Sequence, residues 1–290
     1  MTAGSGNAPE GRTAARVCAV LLLLAATGPA TADPVPQRFS ATYRLFFLNL
    51  PVGEASLSVD QSAGRYGYDL KAGLRGLAGV FFDGSGTASA SGERGRNGAL
   101  TGTFRTESRY GGKPVQVSMV LSGGRAHDES VEPPPSPAPD RVPVAPQDKV
   151  GVVDPLTMLA IPLGAAALDP ALCERRIPVF NGSARADLVL SRGTLVTVQE
   201  GPYRGPALDC RVRWVPISGH RANGTSVRRM AENDEIRVRF APLPNGALLL
   251  PLTISMATGW GNAGIEATQW GAKAEPSGRT SVKVHLPNAR

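Results

Sequence analysis

The sequence predicts an all-β fold, a curved antiparallel meander or barrel-like sheet with one short helix. Three observations carry this reading. Short runs of alternating apolar and polar residues recur along the chain. Glycine- and proline-containing breaks separate them at roughly 8–12-residue spacing, the pattern of antiparallel sandwiches and barrels. Only one stretch offers a good helix start. Alternation implies one packed face per strand, which antiparallel sheets permit.

The first six strands are "RFSATYRLFFL" (38–48), "EASLSVD" (54–60), "RYGYDLKAG" (65–73), "GTASASGER" (86–94), "ALTGTFRTESRY" (99–110) and "PVQVSMVLS" (114–122). Between the third and fourth, "LRGLAGVFF" (74–82) reads as an apolar crossover lying against the sheet. Residues 132–146, "EPPPSPAPDRVPVAP", hold seven prolines. Proline fixes φ and removes a ladder donor, so this is an extended loop. It divides residues 33–290 into two sub-parts, read here as one β-rich domain, with two domains as the alternative. In "DPLTMLAIPLGAAALDP" (154–170), Asp154 suits an N-cap and Pro155 the first helical position, so the helix belongs here. Pro162 interrupts or kinks it, and Asp169-Pro170 ends it.

Beyond Cys173, "RIPVF" and "ARADLVL" flank Asn181-Gly182, a pair suited to a type I′ hairpin turn. Further strands are "LVTVQ" (195–199), "ALDCRVRWVPI" (207–217), "EIRVRFAPL" (235–243), "GALLLPLTISMAT" (246–258) and "GIEATQW" (264–270), with "SVKVHL" (281–286) as an edge. Asn181-Gly182-Ser183 and Asn223-Gly224-Thr225 match the N-glycosylation pattern, and turn chemistry accounts for both.

The N-terminus has the form of a secretory signal. Arg12 and Arg16 precede the apolar run 17–27, Gly28-Pro29 breaks it, and Ala30-Thr31-Ala32 is a small-x-small cleavage site. The expectation is export with cleavage after Ala32; an uncleaved N-terminal anchor is the alternative. The apolar run is shorter than the about 20 residues of a spanning helix. No other segment is long and apolar enough to cross as one, so the mature chain should lie soluble in the periplasm.

The formal charge is +7, and loss of Arg12, Arg16 and Glu10 lowers it by one. Such a balance suits an anionic envelope surface. Only five of the 31 basic residues are lysines and no dense basic run exists, which argues against nucleic acid. Cleavage leaves two cysteines, Cys173 and Cys210, and an even count in an oxidising compartment reads as one disulfide. Two free buried thiols are the alternative. The loop closed is about 37 residues, worth roughly 4 kcal/mol in the chain-entropy account. No metal site and no cofactor are expected, since two cysteines cannot complete a zinc shell and no histidine stands near them.

Catalytic patterns are weak. Residues 259–264, "GWGNAG", match the dinucleotide fingerprint by letter, but a strand-like segment follows where a helix is required, so they read as a glycine-rich loop. The histidines, His127, His220 and His285, are isolated, and His220 becomes a base only beside a nucleophile. The arginines offer more. In "LDCRVRW", Leu208, Cys210, Val212 and Trp214 share one face and Arg211 and Arg213 the other. In "EIRVRF", Arg237 and Arg239 oppose Ile236, Val238 and Phe240, and Arg185 alternates with Asp187. Neighbouring strands would thus form a row of guanidinium forks for a carboxylate or phosphate ligand. The competing reading is a solvated face on which Asp187, Asp209 and Glu235 are their partners. Trp214 and Trp260 are candidates for an apolar pocket.

Five segments, "YRLFFLNLPVGEASLSVD", "GLAGVFFDGSGTASASG", "DPLTML", "CERRIPVFNGSARADLVL" and "YRGPALDCRVRWVPISGH", together resemble bacterial exported proteins of the domain-of-unknown-function 3108 family. One departure is Asn181, where an aspartate is expected; both suit the turn. The resemblance implies a bacterial, periplasmic, β-rich envelope protein and supplies no site. The functional expectation is a non-enzymatic envelope protein binding a small molecule, lipid or envelope component in the concavity of its sheet. A hydrolase using a carboxylate pair on an envelope polymer, and a structural assembly module, are the alternatives.

Overall fold

Strands pair in chain order, hairpin after hairpin, until the last strand returns to the first. The computed structural model describes residues 37–62, 64–74, 84–163, 167–244 and 246–271, all within the unit Pro34–Arg290. The expected leader 1–32, most of the crossover 74–82 and the edge strand 281–286 lie outside the described residues.

The first set is β1 (Gln37–Phe47), β2 (Leu50–Ser62), β3 (Arg65–Leu74), β4 (Gly84–Arg94), β5 (Leu100–Tyr110), β6 (Lys113–Ser122) and β7 (Arg125–Glu132). After the proline-rich stretch come β8 (Ile161–Pro162), β9 (Arg175–Phe180), β10 (Arg185–Val198) and β11 (Gly205–Ser218). A helix, α1 (Thr225–Glu232), precedes β12 (Ile236–Pro242), β13 (Leu248–Thr258) and β14 (Gly261–Gly271). All pair antiparallel in the order β7-β6-β5-β4-β3-β2-β1-β14-β13-β12-β11-β10-β9, with β8 added to β13. The β1–β14 ladder, from Ser40↔Gly271 to Phe47↔Ala263, joins the two sets.

Alternation places Phe39, Ala41 and Tyr43 of β1 with Ala55, Leu57 and Val59 of β2 on one buried face. Tyr66 and Tyr68, Ala90, Leu100 and Phe104, and Met119 and Leu121 continue that core through β6. A second cluster packs Leu208, Cys210, Val212, Ile236, Val238 and Phe240 against Ile161, Cys173, Leu190 and Leu249. The disulfide Cys173–Cys210 is present, with both residues buried and Cα atoms 5.5 Å apart. It fastens the short turn Pro170–Cys173 onto β11. Gly193 sits in the β10 irregularity between Ser191 and Thr194. A Cβ there would overlap the Pro170 carbonyl and the Cys173 sulfur, so glycine is required by close approach.

The edge strands β7 and β9 are linked by residues 150–153. Val150 bridges Arg125, the Val152 N–H donates to the Gly124 carbonyl at 3.0 Å, and Val153 bridges Val179. This strap takes up part of the donors and acceptors that free edges would expose and makes the sheet nearly closed. The chain then turns inward. Asp154 is fully buried; its Oδ1 accepts the Leu156 and Thr157 N–H groups, both at 2.9 Å, and its Oδ2 accepts the Thr157 hydroxyl at 2.5 Å.

The helix expected over 154–170 is therefore a single 3-10 turn, Thr157–Leu159. Ala160 reverts to extended backbone, and Pro162, which cannot donate a helical hydrogen bond, sits opposite Leu248 in β8. The α-helix lies instead at Thr225–Glu232. Two expected strands, 184–190 and 195–199, are one long β10 carrying the irregularity. The Asn181-Gly182 hairpin forms, but not with a type I′ turn. Only Gly182 has positive φ, and Asn181 Oδ1 accepts the Ser183 and Ala184 N–H groups at 3.0 and 2.8 Å.

Candidate functional site

Small residues recur on the inner face near one end of the sheet: Ala55 on β2, Ala72 on β3 and Ala88 on β4. Strand neighbours Leu45, Leu57, Leu70, Phe104 and Val117 stand round them, leaving a cavity of ≈ 510 Å³. The segment that follows the strap supplies one wall through Pro155, Leu156, Met158 and Leu159. Its volume falls within the roughly 300–1,000 Å³ of small-molecule sites.

Polar groups are few. The Tyr43 hydroxyl donates to the Pro251 carbonyl at 2.9 Å, and burial raises its pKa. The Thr106 hydroxyl donates to the Thr87 carbonyl at 3.1 Å. Asn181, in the β9–β10 turn, lines the cavity while its Oδ1 is engaged within its own turn. Its side-chain N–H donors have no partner among the described residues. A ligand here meets hydrocarbon along its length and one amide at the rim.

The cavity lies toward one end of the strands. Lining residues come from the second half of β1 and β3, the middle of β2 and the first half of β4, β6 and β14. At the opposite end Phe39, Val59, Tyr66, Tyr68, Leu100 and Leu121 fill the interior. A second hollow of ≈ 640 Å³ is lined by Phe47, Met256, Trp260 and the α1 residues Arg229 and Met230. Leu45 lines the cavity, and Phe47, two residues on and on the same strand face, lines this groove.

The arginines occupy the other face. Register aligns Asp209↔Arg239↔Thr253↔Glu266↔Arg44↔Glu54 across six strands, while the adjacent row Ile254↔Ile265↔Leu45 points inward. Arg239 grips Asp209 through two hydrogen bonds of 2.7 and 2.9 Å, which raise its pKa. Arg185 and Arg176 share the buried Asp187 at 2.9 Å each. Arg213 donates to the Ala231 carbonyl at 3.2 Å. Arg211 and Arg237 face each other across β11 and β12 without an acidic partner among the described residues. The strands thus bring the guanidiniums to one face and pair two of them with acids of that face. Trp214 packs against the second apolar cluster, away from the cavity, and Trp260 stands at the β13–β14 turn. Residues 259–264 form a turn and the start of β14, with no helix.

A constellation illegible in the sequence lies on the β6–β7 hairpin. Ser122 Oγ is 2.7 Å from His127 Nε2, and His127 Nδ1 is 2.9 Å from Asp128 Oδ2. The order is that of nucleophile, base and orienting acid. Ser122 and Asp128 stand in solvent, however, and the adjacent Gly123 and Gly124 N–H groups donate to Thr101 Oγ1 and the Leu100 carbonyl. They are not free to stabilise an oxyanion. The expected result of fluorophosphonate treatment is an unlabelled Ser122 by peptide mass spectrometry; stoichiometric labelling would mark a hydrolase. His220 contributes its carbonyl to the Val142 N–H at 2.9 Å. Among the described residues no group of acids, histidines and cysteines could hold a metal ion, and no helix is long and apolar enough to cross a membrane.

Comparison with known proteins gives a family and a distant structural likeness. The sequence model of a family described as "Protein of unknown function (DUF3108)" matches residues 38–268. No curated protein matches the chain. Among solved structures, it is similar to a beta-barrel-like protein of domain of unknown function DUF1849 from Brucella abortus. That likeness has 11% identity, covers 83% of this chain and 99% of the other, and has a TM-score of 0.43.

Proposed function

We propose, from the premise that the chain belongs to the DUF3108 family, that it is an exported periplasmic protein that binds an apolar, chain-like small molecule in the concavity of its sheet. The cavity bounded by Ala55, Ala72, Ala88 and the segment from Pro155 to Leu159 carries this reading. The disulfide supports export, since such bonds persist in oxidising compartments. The binding role is non-enzymatic. Its ligand class is an acyl chain or comparable lipid, with the Asn181 amide meeting the head group.

Magnitudes agree with such a role. Each buried methylene contributes about 0.8 kcal/mol, so about 12 of them give roughly 10 kcal/mol. Association removes at least about 4 kcal/mol of that, leaving at most about 6 kcal/mol, a Kd of about 40 μM or weaker. Native mass spectrometry of protein purified from its host is expected to show a retained lipid. Ala88→Phe, which fills the cavity, is expected to weaken binding of a fluorescent fatty-acid probe at least about tenfold while the circular dichroism of the sheet persists. Unchanged affinity in a folded Ala88→Phe chain would rule out the cavity as the site.

A further inference from the structure

We infer that the sheet end nearest the cavity docks onto an anionic lipid bilayer through Leu48, Leu50 and Trp260. Among the described residues five large hydrophobics are exposed, and three of them, Trp260 at 80%, Leu50 at 64% and Leu48 at 47%, lie at this end. Leu48-Asn49 is the β1–β2 turn and Gly259-Trp260 the β13–β14 turn. The turns touch: the Leu48 N–H donates to the Asn262 carbonyl at 2.8 Å, and a Cβ on Gly261 would overlap the Leu48 side chain. Together they form one protruding apolar tip.

Leu48 and Asn49 both have positive φ, 53° and 63°. Such a two-residue turn favours Asn and Gly, and a leucine at its first position is unusual. That leucine is held outward, so its hydrocarbon serves neither core cluster. Tryptophan suits the boundary between water and lipid because its ring is apolar with one polar edge.

Charge and area select the occupant. Exposed Lys71, Arg109, Lys113, Arg213, Arg228, Arg229 and Arg237 belong to the strand ends, turns and helix of this end, against the exposed acids Glu107, Glu132, Glu232, Asp234 and Glu235, a modest positive excess. The chain as a whole is at +7. Cations near an apolar tip favour an anionic surface. A second copy of the chain fits less well. A stable dimer buries about 800 Å² per partner. One exposed aromatic supplies only roughly 150–250 Å², and two leucines do not make up the difference. The groove lined by Phe47, Met256 and Trp260 opens at this tip.

The test is co-sedimentation of the full chain with vesicles of three parts phosphatidylethanolamine to one part phosphatidylglycerol, beside phosphatidylcholine vesicles. The native chain is expected to sediment with the anionic vesicles at least tenfold more tightly than with phosphatidylcholine. The triple variant Leu48→Ser, Leu50→Ser, Trp260→Ser is expected to lose at least tenfold in affinity for the anionic vesicles. Trp260→Phe, with the turn otherwise intact, is expected to remove the blue shift of tryptophan emission that vesicles induce. Equal sedimentation of native and triple-variant chains overturns the assignment, as does equal binding to both vesicle types. A concentration-dependent dimer that the triple variant abolishes also overturns it, by making the tip an interface between copies. Ala88→Phe is expected to retain vesicle binding, so failure of the cavity reading and failure of the docking reading are distinguishable.

Discussion

Chains carrying Cys173→Ser with Cys210→Ser are expected to unfold about 2–5 kcal/mol more readily than the native chain. The bond closes a loop 37 residues long in sequence that holds β9 and β10. It also pins the Pro170–Cys173 turn over Leu208, Val212 and Phe240, so its loss loosens the cover of the second apolar cluster. Guanidinium denaturation with and without reductant measures this. Reductant should move the native midpoint and leave that of the double variant in place. A native midpoint insensitive to reductant, with both thiols shown to be free, would falsify the staple.

Asp154 carries the second large effect. Asp154→Ala leaves the Leu156 and Thr157 N–H groups without their acceptor inside the protein. At about 1–3 kcal/mol for each buried donor left unsatisfied, the loss is about 2–6 kcal/mol, and the cavity wall moves with it. Asp154→Asn keeps an acceptor at Oδ1 and should lie within about 1 kcal/mol of the native chain.

The two variants also differ in their response to pH. Burial, partly offset by the Thr157 and backbone hydrogen bonds, raises the pKa of Asp154 above its ordinary value. The folded state therefore holds this proton more firmly than the unfolded chain. Its contribution is fully present below the unfolded value of about 3.9 and is lost as pH rises through the folded value. Urea midpoints measured from pH 3 upward should fall for the native chain relative to Asp154→Asn across that window. A gap between the two that does not change with pH would show that the carboxyl is not shifted. Tyr66 is pushed up to about 12 by burial and by the Asp154 charge, so it stays neutral throughout.

Strands were legible wherever one face is packed. In β2 the alternation of Glu54, Ala55, Ser56, Leu57, Ser58 and Val59 is also the alternation of burial. β7, "RAHDESVE", escapes that pattern because only Ala126 is fully buried, and its pairing with β6 rests on backbone hydrogen bonds. The helix was misplaced for a related reason. Asp154-Pro155 is a good helix start, yet the same carboxylate accepts the Leu156 and Thr157 N–H groups of a single turn equally well. The sequence of α1, "TSVRRMAE", is short and polar and offers Val227, Met230 and Ala231 as its only apolar positions.

The cavity follows from absence of bulk rather than from a motif. Its sequence trace is Ala55 in "EASLS", Ala72 in "LKAG" and Ala88 in "GTASAS", at inward positions where leucine or valine would have filled the space. Whether those positions meet depends on a register that the sequence does not state. Alternation did separate the arginines from the apolar face, but the aspartates that pair with Arg239 and Arg185 were legible only as competing partners. The Ser122–His127–Asp128 alignment needs the β6–β7 irregularity and the positive φ of Asp128, neither of which leaves a signature.

Ser40 bonds to Gly271 across 231 residues of chain, and this has a kinetic consequence. Most ladders in this sheet are local hairpins that can form as soon as their two strands exist. The β1–β14 ladder must wait until almost all of the described chain is present. Non-local pairing of this kind slows folding, because loop-closure entropy precedes its reward. Until β14 arrives, one side of β1 is an open template for intermolecular association. Assembly thus ends where the polypeptide began, and the interval before that closure is when the protein is most exposed to aggregation.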